Sequence, residues 1–200
     1  MYTLIGSAKS RAFRVMWMLE EVRQPYEHIQ AAPGSKEMKV VNPSGKTPAF
    51  KDGKNIIIDS VAICQYLADK HGKGTYAAGT IKRAQQDSFL HFAIDELDGA
   101  LWTAGKHRFV LPEELRTTAV EPACKHDYER ALKTLATRLG DNDFVMGKKF
   151  TVPDIITAHC MGWGIGMFGW EVPKGKLSTY LARCRARKAF QKAWALREAS

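Results

Sequence analysis

Asp52-Gly53 sits between two short runs, Ala49-Phe50-Lys51 and Lys54 to Ile58. An Asp-Gly pair takes the positive-φ positions of a two-residue turn at little cost. Ile56, Ile57 and Ile58 are β-branched and favour an extended chain. The spacing therefore predicts an antiparallel hairpin, and the hairpin restricts what its neighbours can do. Upstream, Tyr2-Thr3-Leu4-Ile5 reads as a strand broken by Gly6 and Ser7. From about Ser10 to Val22, Phe13, Trp17 and the Met16–Met18–Leu19 cluster recur near helical spacing. Glu20 and Glu21 fall at the negative end of that helix's dipole, so packing must hold its end. Tyr26 to Gln30 reads as a second strand, parallel to the first through a crossover. A loop with Pro33 and Gly34 follows, then Asn42-Pro43-Ser44-Gly45-Lys46-Thr47-Pro48. Downstream of the hairpin, Asp59-Ser60 caps a helix from Val61 to about His71, with Ala62, Ile63, Tyr66 and Leu67 as its inward stripe.

Strand–helix–strand, a proline-bearing loop, then hairpin and helix is the thioredoxin arrangement. Beyond Gly79 no strand pattern recurs; helical patterns run over about 80–106, 112–139, 152–169 and 176–197. The expected class is α+β: a thioredoxin-like domain over 1–76 followed by an all-α domain over 80–200. Thr151 and Asp154 have capping-box spacing, with Pro153 in the first turn, so a buried helix is expected to start there.

Composition removes several function classes. No basic start leads into a long apolar run, and no stretch approaches the roughly 18 apolar residues of a membrane span. Cytoplasmic residence without membrane association is the expectation. Cys64, Cys124, Cys160 and Cys184 are far apart and form no C-x-x-C pair. A disulfide scaffold, a zinc ribbon and a dithiol centre are thereby disfavoured. His91, His107, His126 and His159 show no metal-ligand spacing, so no metal is expected. The formal charge is +9, with a basic concentration from Arg183 to Lys192. Leu181, Ala182, Ala186, Ala189 and Phe190 lie at helical spacing there, which fits a solvated amphipathic helix better than a nucleic-acid patch.

GSAKSR around position 7, NPSGKTPAF at 42–50, DGKNIIIDS at 52–60 and FTVPDI at 150–155 occur in this order. Together they resemble the cytosolic glutathione transferases, and the bacterial, theta, delta and zeta-like serine-type members more than the tyrosine classes. The resemblance covers essentially the whole chain. It implies a cis bond before Pro48, with the peptide edge of Thr47 pairing antiparallel with the cysteinyl backbone of glutathione as strand addition. It implies Ser60 for the γ-glutamyl carboxylate and Asp59 for its ammonium, at a helix start with free N–H groups and partial positive charge. Family members more often have Glu where Asp59 stands. Lys46 is placed for the glycyl carboxylate, with Lys36 and Lys39 as weaker candidates.

Chemistry on glutathione needs a thiolate, and a thiol of pKa near 8.5 is mostly protonated at neutral pH. Lowering it by about two units takes about 2.7 kcal/mol of thiolate stabilisation. A hydroxyl donor beside a helix N-terminus supplies that order of help. Ser7 matches the catalytic serine of the theta and delta S-x-x-C-R pattern and Ser10 its cysteine; the sequence leaves the choice between them open. Trp102, His107, Phe109 and Trp163, with Met167, Phe168 and Trp170, are candidates for an apolar second-substrate wall. The expected function is transfer of a small hydrophobic electrophile to glutathione, a co-substrate, by a homodimer. Isomerisation, dehalogenation and peroxide reduction are related chemistries on this fold. The alternative is a non-catalytic glutathione-binding or regulatory protein.

Overall fold

The computed structural model describes residues 1–200. The chain divides into two compact units, residues 1–78 with 185–200, and residues 79–184. Residues 185–200, which the sequence pattern assigned to the helical domain, thus group with the first unit.

The first unit is a four-stranded mixed sheet with helices. β1 (Tyr2–Ile5), β2 (Tyr26–Ile29), β3 (Ala49–Asp52) and β4 (Asn55–Ile58) lie in the order β2-β1-β3-β4. β1 and β2 are parallel; β1–β3 and β3–β4 are antiparallel. The expected hairpin is present, but its two-residue turn is Gly53-Lys54 rather than Asp52-Gly53: Asp52 pairs with Asn55 in the ladder, and Gly53 alone takes a positive φ, +60°. Register matters most for function. Ile5 pairs with both Ile29 and Ala49, and Ala49 pairs with Ile58. The ends of β1, β2 and β4 and the start of β3 therefore line up along one sheet edge.

α1 (Ala12–Val22) is buried along almost its whole length, and α3 (Ser60–Lys70) buries Ile63, Cys64, Leu67 and Ala68. The expected stripe on α3 is shifted: Ala62 is exposed and Tyr66 half-buried, while Cys64 and Ala68 point inward. The Cys64 thiol lies 3.4 Å from the Arg14 carbonyl and ties α3 to α1. Within the expected loop lies a short helix, α2 (Lys36–Val41), which is capped by Ser35 and packs Met38 and Val41 with Ile5, Ala31 and Ala49.

The second unit is helical. α4 (Ile81–Phe92) starts at a Thr80 cap. It passes through a π-helical stretch, Ala93–Asp98, into α5 (Gly99–Gly105) and a second π stretch, Lys106–Val110. α6 (Glu121–Leu139) is shorter than the 112–139 expected, because two 3₁₀ turns precede it. α7 (Val152–Trp163) continues as a third π stretch, Gly164–Phe168. Gly164 is required there: a Cβ would stand 2.6 Å from the Tyr128 hydroxyl. The single helix expected over 176–197 is two, α8 (Lys176–Arg185) and α9 (Lys188–Glu198), separated by an extended Arg187. The capping box at Thr151 and Asp154 is present as expected.

α9 returns to α1 within the first unit. Phe13 and Trp17, four apart on α1, meet Phe190 and Trp194, four apart on α9. Ring centroids stand 4.9 Å apart for Trp17–Phe190 and 5.8 Å for Phe13–Trp194. Such edge-to-face pairs add about 0.5–1.5 kcal/mol each beyond the area they bury.

Candidate functional site

Three segments carrying the sequence-derived candidates leave the same edge of the sheet, because the register aligns Ile5, Ala49 and Ile58. Ser7 follows β1 by two residues, Thr47 precedes β3 by two, and Asp59-Ser60 follow β4 directly.

The Asn42–Pro48 loop is shaped by one buried side chain. The Asn42 amide donates to the Lys46 carbonyl at 2.8 Å, and its oxygen accepts from the Ser44 N–H and hydroxyl. The Thr47–Pro48 bond is cis. No main-chain group pairs with the N–H or C=O of Thr47, which leaves a short edge for another strand-like backbone. The Lys46 side chain is exposed beside it.

At the start of α3, the Asp59 carboxylate accepts from the Val61 and Ala62 N–H groups at 2.8 and 3.0 Å. Asp59 itself has φ +74°, a conformation that non-glycine residues rarely adopt and that persists where surrounding structure enforces it. Ser60 N–H, as the first of the helix, has no intrahelical acceptor. The Ser60 side chain is buried and its hydroxyl accepts from Arg14 Nη1 at 3.3 Å. Arg14, completely buried in α1, places a guanidinium behind the serine. Sequence reasoning passed over it. The signal was there: one arginine within Ala12-Phe13-Arg14-Val15-Met16-Trp17 must either reach solvent or find a buried partner.

The turn after β1 separates the two candidate hydroxyls. Ser10 Oγ donates to the Ser7 carbonyl at 2.6 Å and accepts from the Ala12 N–H at 3.1 Å and from Thr47 Oγ1 at 2.9 Å. A hydroxyl has one proton and two lone pairs, so the protein uses all of Ser10's capacity. Ser7 Oγ accepts only the Lys9 N–H, at 3.3 Å, and gives its proton to no protein group. Gly6 stands against the loop opposite: φ is +142°, and a Cβ there would lie 3.1 Å from Thr47 Cβ.

All four cysteines are buried and unbridged. Burial pushes the thiols of Cys64 and Cys124 up, away from ionisation. No group of three or more His, Cys, Asp or Glu side chains is placed to hold a metal ion. No helix is long and apolar enough to cross a membrane.

Of the aromatic candidates in the helical unit, Phe109 and Trp163 converge over Gly105, where a Cβ would meet them at 3.3 and 3.5 Å. Trp163 faces Phe168, and Phe168 stacks on Trp170 at 4.6 Å. The Arg108 guanidinium lies 4.8 Å from the Phe168 ring and bonds to the Met167 carbonyl, joining the second and third π stretches. Trp102 and His107 are half-buried, and His107 Nδ1 is buried without a partner.

Residues 4–75 match the family described as glutathione S-transferase, N-terminal domain. Over this segment the chain is similar to a glutathione S-transferase N-terminal domain. Glutathione S-transferase 2 of Anopheles gambiae is 28% identical over 160 residues, 77% of this chain and 74% of that protein. An elongation factor 1-gamma of Trypanosoma cruzi is 29% identical over 133 residues, 65% of this chain but 31% of that protein. A glutathione transferase of Phanerochaete chrysosporium, crystallised with oxidized glutathione, superposes with a TM-score of 0.85 at 21% identity. It covers 99% of this chain and 95% of its own, so the glutathione transferase fold extends through both units.

Proposed function

We propose that this protein is a glutathione transferase in which Ser7 stabilises the glutathione thiolate. The observation that carries the reading is the asymmetry between the two serines. Ser10 has no proton left to give, whereas the Ser7 hydroxyl proton is uncommitted. The Lys9 N–H on Ser7 Oγ polarises that hydroxyl and strengthens it as a donor.

Glutathione would lie with its cysteinyl backbone on the Thr47 peptide edge beside Pro48. Its γ-glutamyl carboxylate would meet the Ser60 N–H and hydroxyl, with buried Arg14 behind them, and its ammonium the Asp59 carboxylate. Asp59 accepts both N–H bonds on Oδ1, so its other carboxylate oxygen, Oδ2, remains for an ammonium. Lys46 would pair with the glycyl carboxylate. The thiol proton leaves to solvent and the sulfur, held by Ser7, forms a carbon–sulfur bond to an apolar electrophile. The electrophile's leaving group departs with the bonding electrons. Phe109, Trp163, Trp102 and His107 of the helical unit would supply the apolar wall for that substrate. The family domain, the Anopheles relative and the oxidized glutathione in the Phanerochaete structure support this reading. The protein is proposed to act in the cytoplasm as a homodimer, without a metal.

The deciding experiment follows thiolate absorbance of bound glutathione, with turnover of an aryl halide, in the wild type, Ser7→Ala and Ser10→Ala. Ser7→Ala is expected to lose thiolate at neutral pH by about tenfold or more, and Ser10→Ala to retain most of it. Unchanged thiolate in both variants would show that neither serine activates the thiol.

A second reading, a glutathione-binding protein without turnover, is favoured by the elongation factor similarity over 65% of the chain. Retention on immobilised glutathione with no turnover of any electrophile would select it.

A further inference from the structure

The turn that carries Ser7 is held from outside by the edge strand β2. Gly6 N–H donates to the Ile29 carbonyl at 3.0 Å. The His28 ring Nε2 lies 2.8 Å from the Gly6 carbonyl. A carbonyl oxygen only accepts, so Nε2 carries the proton and donates. One residue past β2, Gln30 Oε1 accepts from the Ala8 N–H at 3.3 Å. The residues on both sides of Ser7 are thus fastened to consecutive positions of one strand and its end.

The consequence is directional. The N–H and C=O of Gly6 and the N–H of Ala8 are all occupied, while Ser7 O takes the Ser10 N–H and hydroxyl. The Ser7 hydroxyl proton is left as an uncommitted donor on a backbone that cannot rotate without breaking several bonds. On the opposite side the same turn abuts Thr47, where a Gly6 Cβ would come within 3.1 Å of Thr47 Cβ.

We infer that His28 and Gln30 are positioning residues for the glutathione thiolate: they clamp the Gly6–Ala8 turn so that the Ser7 hydroxyl is aimed before glutathione arrives. The inference rests on the reading of Ser7 given above. It adds two side chains from a strand that bears none of the glutathione-binding candidates. Neither is expected to touch glutathione, so their effect should fall on sulfur and spare the tripeptide's backbone contacts. A positioned donor acts only within a narrow distance, and a misplacement of about 1 Å can cost a hundredfold.

The test titrates the thiol of bound glutathione by its thiolate absorbance in the wild type, Gln30→Leu, His28→Leu and His28→Gln. S-methylglutathione, which has no thiol to ionise, reports the tripeptide contacts separately. Gln30 is exposed, so Gln30→Leu should fold. The Ala8 amide, read by hydrogen exchange, should become faster exchanging in it. The expected result is a rise in the bound thiol's pKa of about one unit in each Leu variant, a tenfold loss of thiolate below it. His28→Gln, which keeps an N–H donor, should restore the wild-type value. S-methylglutathione affinity should stay within about twofold throughout. An unchanged thiol pKa in Gln30→Leu with its Ala8 amide released would overturn the clamp while leaving Ser7 in place. A parallel loss of S-methylglutathione affinity would also overturn it, by showing that the binding edge rather than the donor had moved. A wild type that forms no thiolate would remove the Ser7 reading itself, and the clamp with it.

Discussion

The Thr47 hydroxyl donates to the Ser10 hydroxyl across 2.9 Å, a bond between residues 37 apart in sequence. It joins the turn proposed to activate the thiol to the edge proposed to hold the cysteinyl backbone. Because Ser10 also caps the Ala12 N–H, Ser10→Ala should cost about 1–2 kcal/mol of stability. Thr47→Val keeps the shape and removes the link. A double-mutant cycle on the pair, read by urea unfolding, should give a coupling of about 0.5–1 kcal/mol. Glutathione KM should rise more than kcat falls in both single variants, the reverse of the pattern expected for Ser7→Ala. A coupling of zero would mean the two segments are positioned independently.

Gly6 is confined twice, by its backbone and by its neighbour. Its φ of +142° lies where L side chains are rarely found, and the space a Cβ would fill ends 3.1 Å away at Thr47. Gly6→Ala should therefore destabilise by about 1–3 kcal/mol, and push the Ser7 turn away from the Thr47 edge. Glutathione affinity is the sensitive readout, since both halves of the proposed site move. An alanine variant with wild-type affinity would show that the close approach is tolerated.

The sheet and the placement of the segments that carry the candidate residues were legible because their signals are local. Gly53 between two extended runs marks a hairpin whatever surrounds it, and Asp59-Ser60 marks a helix start. That Ser10 spends its proton while Ser7 keeps an uncommitted one was not legible, because it depends on which partners exhaust a hydroxyl, and one of those is Thr47. Arg14 announced a need for a partner but not which one. The fate of Glu20 and Glu21 shows the same limit. They sit at the wrong end of α1 for its dipole. They are tolerated because Lys192 and Arg187, from the far end of the chain, reach them at 2.7 and 2.6 Å. The break at Arg187 that allows this carries neither glycine nor proline, so a single helix over 176–197 was the natural expectation.

The Glu21 carboxylate is buried and receives Arg187 through two nitrogens, at 2.6 and 2.8 Å, with the Trp17 indole N–H at 3.1 Å. Arg187→Gln strips the bidentate cation from a buried carboxylate and should cost about 2 kcal/mol. Glu21→Gln in the same background should recover part of that loss, because the uncompensated charge disappears with it. Urea unfolding of the two single variants and the double variant measures this. Equal additive losses would mean that the pair is felt only as two separate side chains.

Asp154 joins three parts of the helical unit. Its carboxylate accepts from the Val145 and Thr151 N–H groups at 2.9 and 2.8 Å, from Thr151 Oγ1 at 3.1 Å and from the Tyr180 hydroxyl at 2.9 Å. Complete burial pushes its pKa from the ordinary 3.8 up to about 6, while the four donors pull the other way. The sign follows from proton uptake. Between those two values the folded state holds the proton more tightly than the unfolded chain, so stability falls as pH rises through this window and is level above it. The fall from this group amounts to about 3 kcal/mol. When protonated, the carboxyl can donate to Thr151 Oγ1 or to the Tyr180 oxygen, both of which can accept. Asp154→Asn presents an amide N–H₂ to donors and should cost about 2–4 kcal/mol. It also removes the titration, so the stability gap between wild type and variant should narrow as pH rises from about 4 to 6. Urea unfolding of both proteins across that range checks the sign. A gap that widens with pH would show that the four donors outweigh burial and hold Asp154 below its ordinary value.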